Sequence, residues 1–237
     1  VKYKIKGFLQ SLLGYERYLK WFAYYKIKTL HNDKREASFF DFLSRIKTDD
    51  CVLDIGANLG FINYHIAQKA KYVYAFEPEP TNRKVLKNII ARYKLNNVKL
   101  MEFALGDEAK MVEMVLPIRG KSKEQGLSHV EQGEACKGIN FSVECKRLDD
   151  LDLPKIDAIK IDVENFEYAV FKGGEATIKR DKPLIYCELW DNENRANCLE
   201  FLGGMGYQCL VFTENGRVPF NVSKHRYYQN FLFEYEG

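Results

Sequence analysis

The sequence predicts a single α/β domain. Three observations carry this: short apolar runs alternate with helical patterns from Cys51 onward, a glycine loop follows the first run, and an acid tips the second. A chain of 237 residues can hold one sizeable core with small additions at its ends. Hydrophobic residues make up 46%, an ordinary globular share. No run of eighteen apolar residues occurs, so no transmembrane helix is expected, and no secretory signal pattern is visible. The chain starts at Val1 rather than Met, as a fragment without its natural beginning would. The six cysteines Cys51, Cys136, Cys145, Cys187, Cys198 and Cys209 form no C-x-x-C, and several sit in apolar runs. They read as reduced, buried thiols of a cytoplasmic protein. His31, His65, His129 and His225 show no metal spacing, and no metal is expected.

Val52 to Ile55 reads as a buried strand, followed by the loop Gly56-Ala57-Asn58-Leu59-Gly60 and a helix from about Gly60 to Lys69. Glycine lets a backbone turn sharply and approach a ligand. The helix start behind the loop offers unpaired N–H groups to an anion. The second strand, Tyr72 to Phe76, stops at Glu77-Pro78. A carboxylate there, about twenty residues past the glycine loop, suits the two hydroxyls of a ribose. A dinucleotide site wants G-x-G-x-x-G. Here Asn58 replaces the middle glycine, and Asp54 stands two residues before the first. This D-x-G-x-x-x-G form resembles the first motif of S-adenosylmethionine (SAM)-dependent methyltransferases. In that reading Asp54 accepts from the ammonium of the cofactor and the loop amides meet its carboxylate.

Ahead of the first strand, Ile5, Phe8, Leu9, Leu12, Leu13 and Tyr15 recur at helical spacing, and Tyr18 to Tyr25 is densely aromatic. Through Arg35 there are nine Lys or Arg against Glu16 and Asp33, although the whole chain carries only +3. Such a basic aromatic arm serves as a cap over the substrate, a dimer face or a membrane-surface helix, or simply packs on the core. Glu36 to Ile46 reads as a further helix. Residues 1–47 are thus expected to form a helical cap or arm, and 48–237 the main domain.

Thr81 is expected to cap a helix running to about Lys94. The third strand is expected over Val98 to Phe103, followed by the turn Ala104-Leu105-Gly106-Asp107. Adenine would lie between this turn and Pro78, with a backbone N–H near Phe103 or Ala104 reading its edge. Met111 to Leu116 and Ile139 to Cys145 have strand patterns. The 117–138 stretch between them, with Gly120, Gly126, Gly133 and Gly138, reads as a substrate loop or lid carrying Ser128 and His129. Ile156 to Val163 is the fourth strand, ending in Asp162, Glu164 and Glu167. One helix, weakened at Gly173-Gly174, is expected over Tyr168 to Lys179. The fifth strand, Pro183 to Trp190, carries Glu188. A helix over Asn194 to Leu202 and closing strands Tyr207 to Phe212 and Asn230 to Tyr235 complete the chain.

Taken together, Asp54-Ile55-Gly56-Ala57-Asn58-Leu59-Gly60, Ala75-Phe76-Glu77-Pro78-Glu79-Pro80, Ala104-Leu105-Gly106-Asp107 and Ile159-Lys160-Ile161-Asp162-Val163-Glu164 resemble the motifs of the FkbM family of SAM-dependent methyltransferases. The resemblance covers about Cys51 to Trp190. It departs at Asn165, where the family usually has glycine. It implies a Rossmann-like class I methyltransferase fold: a seven-stranded, mostly parallel sheet with an antiparallel last strand, helices on both faces and added N-terminal helices. The cofactor would be SAM, held by Asp54, Gly56, Ala57, Asn58, Gly60, Phe61, Glu77, Pro78, Phe103, Ala104 and Asp162.

The implied reaction is O-methylation of a hydroxyl on a sugar, glycan, polyketide or related small molecule by in-line displacement. A sugar hydroxyl is a poor acid and calls for a general base. Asp162 and Glu188, at the carboxyl ends of adjacent strands, are the first choices, then Glu164, with His129 the alternative. Trp190 would stack on a sugar face. Lys160, in mid-strand, either neutralises a neighbouring acid or points to solvent. Three rivals stay open: an N-methyltransferase for an amine or nucleic acid, an NAD-binding oxidoreductase, and an inactive SAM-binding protein. The fourth strand lacks the [DNS]-P-P-[YF] signature of amino-methylating nucleic-acid enzymes, so no nucleic-acid partner is expected.

Overall fold

The computed structural model describes residues 2–119, 122–131 and 137–237. Gly120, Gly133 and Cys136, singled out above, lie outside them. Helices α1 (Lys2–Leu13), α2 (Tyr15–Thr29) and α3 (Ala37–Arg45) come first. Then follow β1 (Cys51–Ile55), α4 (Phe61–Ala67), β2 (Tyr72–Phe76), α5 (Pro80–Tyr93), β3 (Val98–Met101) and β4 (Ala104–Leu105). The middle of the chain forms β5 (Lys110–Arg119), β6 (Ser122–Lys123), β7 (His129–Val130) and β8 (Gly138–Lys146). The last part forms β9 (Ala158–Ile161), α6 (Glu167–Gly173), α7 (Glu175–Asp181), β10 (Leu184–Glu188), α8 (Glu193–Gly204), β11 (Tyr207–Thr213), β12 (Gly216–Pro219), α9 (Val222–His225) and β13 (Asn230–Tyr235). Among the described residues, no helix is long and apolar enough to cross a membrane.

Among the described residues the main sheet has eight strands, ordered β12-β11-β13-β10-β9-β1-β2-β3. Strands β10, β9, β1, β2 and β3 run parallel, and β13 is antiparallel to both its neighbours. This is the expected sheet plus one strand. The addition, β12, is a hairpin return from β11 through Glu214-Asn215, with Gly216 at φ 89° opening the new strand. Every residue of β1 is buried, as a strand covered on both faces requires. Side chains alternate across the sheet. Val52, Ala158 and Tyr186 face one core with α2, α3, α4 and α5. Leu53, Ile55, Ile159 and Ile161 face another with α6, α7 and α8. Leu19, Ala23 and Ile27 of α2 belong to the first core, so this part of the N-terminal segment is packed on the sheet.

Several expectations need correction. The third strand ends at Met101. The chain then leaves the main sheet, and Ala104 pairs with Cys145 of β8. Strands β4, β8, β5 and β6 form a second sheet, with β7 also paired to β5. The stretch read as a long loop is therefore largely folded onto β5 where it is described. The cap of α5 is Glu79, which accepts from the Asn82 N–H at 2.5 Å, and not Thr81. Pro80 occupies the first helical position, where its missing N–H does no harm. The helix expected over Tyr168 to Lys179 is two helices, α6 and α7, that break at Gly173 and Gly174. A Cβ on Gly173 would lie 1.9 Å from the Gly106 carbonyl oxygen, so α6 touches the 104–107 turn backbone to backbone.

Candidate active site

Gly56 follows directly on the buried β1 and turns the chain with φ 78°. A Cβ there would stand 2.0 Å from the Asp162 carbonyl oxygen, so the loop and the end of β9 touch through backbone alone. The Gly56 and Ala57 N–H groups both donate to the Phe76 carbonyl, which ties the loop to the tip of β2. A cavity opens here, enclosing about 620 Å³ of atom-free space, part of it open to solvent. Its floor is the glycine loop and the tips of β1, β2 and β9. Phe103, Ala104 and Phe166 close one side, and Met114 and Val130 of the second sheet, with Gly126 and Ser128 of the turn before β7, close another.

Glu77 is buried at the tip of β2 and lines the cavity. Its two oxygens accept from the backbone N–H groups of Asn58 at 2.7 Å and Glu79 at 2.8 Å. Oε1 also accepts from the Asn82 amide at 3.5 Å, whereas Oε2 keeps a lone pair for a further donor. Burial, aided by the Glu79 charge, pushes its pKa up to about 7, against the hydrogen bonds from Glu79, Asn58 and Asn82.

Behind the cavity stands a row of charged groups from adjacent strands. Lys160 is 5% exposed and Asp54 fully buried. The Lys160 ammonium donates to the Gly56 carbonyl at 2.9 Å and lies 3.5 Å from Asp54 and 3.8 Å from Asp162. Burial opposes its charge, but Asp54, Asp162 and Glu188 outweigh it and raise its pKa. Burial and the neighbouring Asp162 raise Glu188 to about 7, and burial with Asp162 and Glu188 raises Glu164 to about 9. Glu167 rises to about 7 through burial, and accepts from the Val163 N–H and the Asn194 amide. Glu164 and Asn165 both have positive φ, 55° and 71°. Asn tolerates that conformation better than most residues, so Asn165 keeps the turn despite the absence of glycine. Its side chain also accepts from Asn192 at 2.7 Å.

Of the residues expected at the site, Gly56, Asn58, Glu77, Pro78, Phe103, Ala104, Asp162 and Glu164 line the cavity. Asp54, Ala57, Gly60, Phe61, His129 and Glu188 do not. Asp54 shares a strand face with Val52, which turns it toward α4, where Asn63 donates to it at 3.0 Å. Ala57 packs with Ala75 and Leu86. Gly60 caps α4 with φ 85°, and Phe61 meets the Phe22 ring edge-on at a centroid distance of 6.4 Å. Ser128 and Val130 border the cavity while His129, between them, approaches the Leu127 carbonyl at 2.8 Å. Lys160 takes the first of its two readings and neutralises acids. Sequence reasoning missed Met114, Asn82, Val130 and Phe166 as cavity residues.

The cavity fits SAM. Asn58 Oδ1, Ser128 Oγ and Glu164 Oε2 are buried without protein partners on residues that line it. Apolar Ile55, Phe76, Phe103 and Val130 offer flat and aliphatic contact for a purine, and Glu77 an acceptor for a ribose. Fold and site together define a SAM-dependent methyltransferase. The profile of the methyltransferase FkbM domain matches residues 54–209. The chain belongs to this FkbM methyltransferase family. A crystal structure of methyltransferase FkbM from Methylobacillus flagellatus is similar at TM-score 0.54 and 16% identity, over 81% of this chain and 44% of that one. The chain thus spans less than half of that protein. A methyltransferase-like protein from Streptococcus mutans, crystallised with SAH, is similar at TM-score 0.50 and 12% identity, over 81% of this chain and 92% of that one. Ribosomal protein L11 methylase from Lactobacillus delbrueckii subsp. bulgaricus gives TM-score 0.50 and 11% identity, over 84% and 77% of the two chains. At these identities the likeness is one of fold. No curated protein matches the chain significantly.

The raised carboxyls set a pH dependence. Glu77, Glu167 and Glu188 at about 7, and Glu164 at about 9, keep protons that the unfolded chain releases at about 4.3. The folded state binds more protons in this window, so stability is greatest below it and falls as pH rises through the folded values. The thermal midpoint of the cofactor-free protein should fall from pH ~5 to pH ~9. Glu164→Gln should flatten the upper part of that profile. A wild-type midpoint that climbs over the same range would contradict the assignment.

Proposed function

We propose that this protein methylates a hydroxyl group of a sugar or glycan. The observation that supports this most is the ionisable cluster at the carboxyl edge of β9 and β10. There Asp162 and Glu164 reach the cavity, with Lys160 and Glu188 close behind. When bound, SAM supplies an activated methyl group on a sulfonium. Glu77 would hold the ribose hydroxyls, Phe103 and Ala104 the adenine, and Gly56 and Asn58 the amino acid end. The Asp162 side chain is 37% exposed and accepts the acceptor's hydroxyl proton at a carboxylate oxygen. Lys160 orients that carboxylate. Glu164, proton-loaded near neutral pH, donates a hydrogen bond rather than accepting a proton. Trp190, 37% exposed beyond the tip of β10, offers an indole for a sugar face.

The test is incubation with labelled SAM against nucleotide sugars, free glycans, amines and nucleic acids, read by mass spectrometry. A methyl group on a sugar hydroxyl is the expected product. Transfer confined to amines or nucleic acid would overturn the reading. Within the same assay, Glu77→Ala should weaken SAM and SAH binding by on the order of 1–3 kcal/mol, measured calorimetrically. Unchanged affinity would remove Glu77 from the ribose role.

A further inference from the structure

Helix α1 is amphipathic in the reverse sense. Its inward contacts are polar: Lys6 pairs with Glu124 at 2.7 Å, and the buried Gln10 side chain exchanges hydrogen bonds with the backbone of Lys123 at 3.1 and 3.0 Å. From Phe8 onward its apolar side chains face out. Phe8 is 65% exposed and Leu12 67%, one turn apart, with Leu9 and Leu13 exposed beside them. An ordinary surface helix turns such a stripe to the core. Helix α2 buries Leu19, Ala23 and Ile27, yet its outward row is Arg17, Trp21, Tyr25 and Lys28 at helical spacing. Trp21 is 69% exposed and Tyr25 63%.

Aromatic rings flanked by Arg and Lys suit the interface between water and lipid headgroups, where an amphipathic ring is half solvated and a long cation meets phosphate. The segment is also basic, with nine Lys or Arg against two acids through Arg35; Lys6, Lys20, Lys26 and Arg35 pair with acids of this chain, whereas Arg17 and Lys28 stand on the outward row. A protein partner meeting this face would have to be both apolar and acidic; an anionic bilayer is both. We propose that the outward faces of α1 and α2 dock this protein on an anionic lipid surface.

The test uses the 237-residue chain with vesicles of phosphatidylcholine alone and of equimolar phosphatidylcholine and phosphatidylglycerol, read by co-sedimentation. Binding to the anionic vesicles should be at least about tenfold tighter than to neutral ones and should weaken as salt rises. Phe8→Glu with Leu12→Glu should abolish it. Trp21→Glu with Tyr25→Glu should weaken it independently, so a folding defect in one variant leaves the other to decide. All four positions are exposed, and the thermal midpoint of each variant should stay near wild type. Equal binding to both vesicle types, no binding, or full binding by both variants would overturn the proposal. So would a wild-type dimer in sedimentation equilibrium that ignores vesicles and dissociates on Phe8→Glu/Leu12→Glu, since the occupant would then be a second copy.

Discussion

Asp162→Asn is expected to slow methyl transfer by about 10²–10⁴-fold while changing SAH affinity far less. The substitution keeps the shape of the side chain and its place on the cavity wall. It replaces a basic carboxylate by an amide whose oxygen does not take a proton from the acceptor hydroxyl. Glu164 cannot take over, because burial and its acidic neighbours leave it protonated at neutral pH. Glu188 is held near 7, but it stands outside the cavity lining. Single-turnover rates with saturating SAM would isolate the step. Normal turnover in the variant would move the base elsewhere, and Glu188→Gln is then the next substitution to measure.

Lys160→Met is expected to destabilise the fold by about 3–5 kcal/mol, because one partner of a buried ion pair is removed and the other left behind. Asp54 has no exposed surface, and its remaining partner is the Asn63 amide. The Gly56 carbonyl loses its donor as well. For a chain of this size each kcal/mol lowers the thermal midpoint by roughly 2–4 °C, so the effect is easily read by calorimetry. Adding Asp54→Asn should recover part of the loss, since the stranded charge is then gone. A single variant as stable as wild type would show that Lys160 contributes nothing net to the fold.

What the sequence disclosed of this site follows from how local each feature is. Gly56, Asn58, Glu77 and Pro78 sit next to strands whose apolar runs are unambiguous, so their places at the strand tips could be reckoned from spacing alone. The motif alone places Asp54 at the cofactor. Strand alternation puts it on the face shared with Val52, where it meets Asn63 and Lys160 and does not line the cavity. Met114 and Val130 were out of reach for another reason. They arrive through β5 and β7, whose pairing is a long-range outcome that no nearby pattern encodes. The strip from Ser122 to Val130 looked like a loop because its strands are two residues long. The division of Tyr168 to Lys179 is half visible: Gly173-Gly174 marks a weak point, but the backbone contact with Gly106 that leaves no room for a side chain at Gly173 is not.

The Lys6 and Gln10 contacts to Glu124 and Lys123 have one more implication. The same strip of chain continues through Gly126 to Val130, where it becomes a wall of the cavity. Any event that reseats the first helix therefore acts on that wall too. Thermodynamic linkage makes such coupling mutual: if occupying the outer face tightens SAM binding by some factor, SAM tightens attachment of the outer face by the same factor. Under that coupling, a chain shorn of its opening helix would differ from the intact one in its grip on SAM as well as in where it settles.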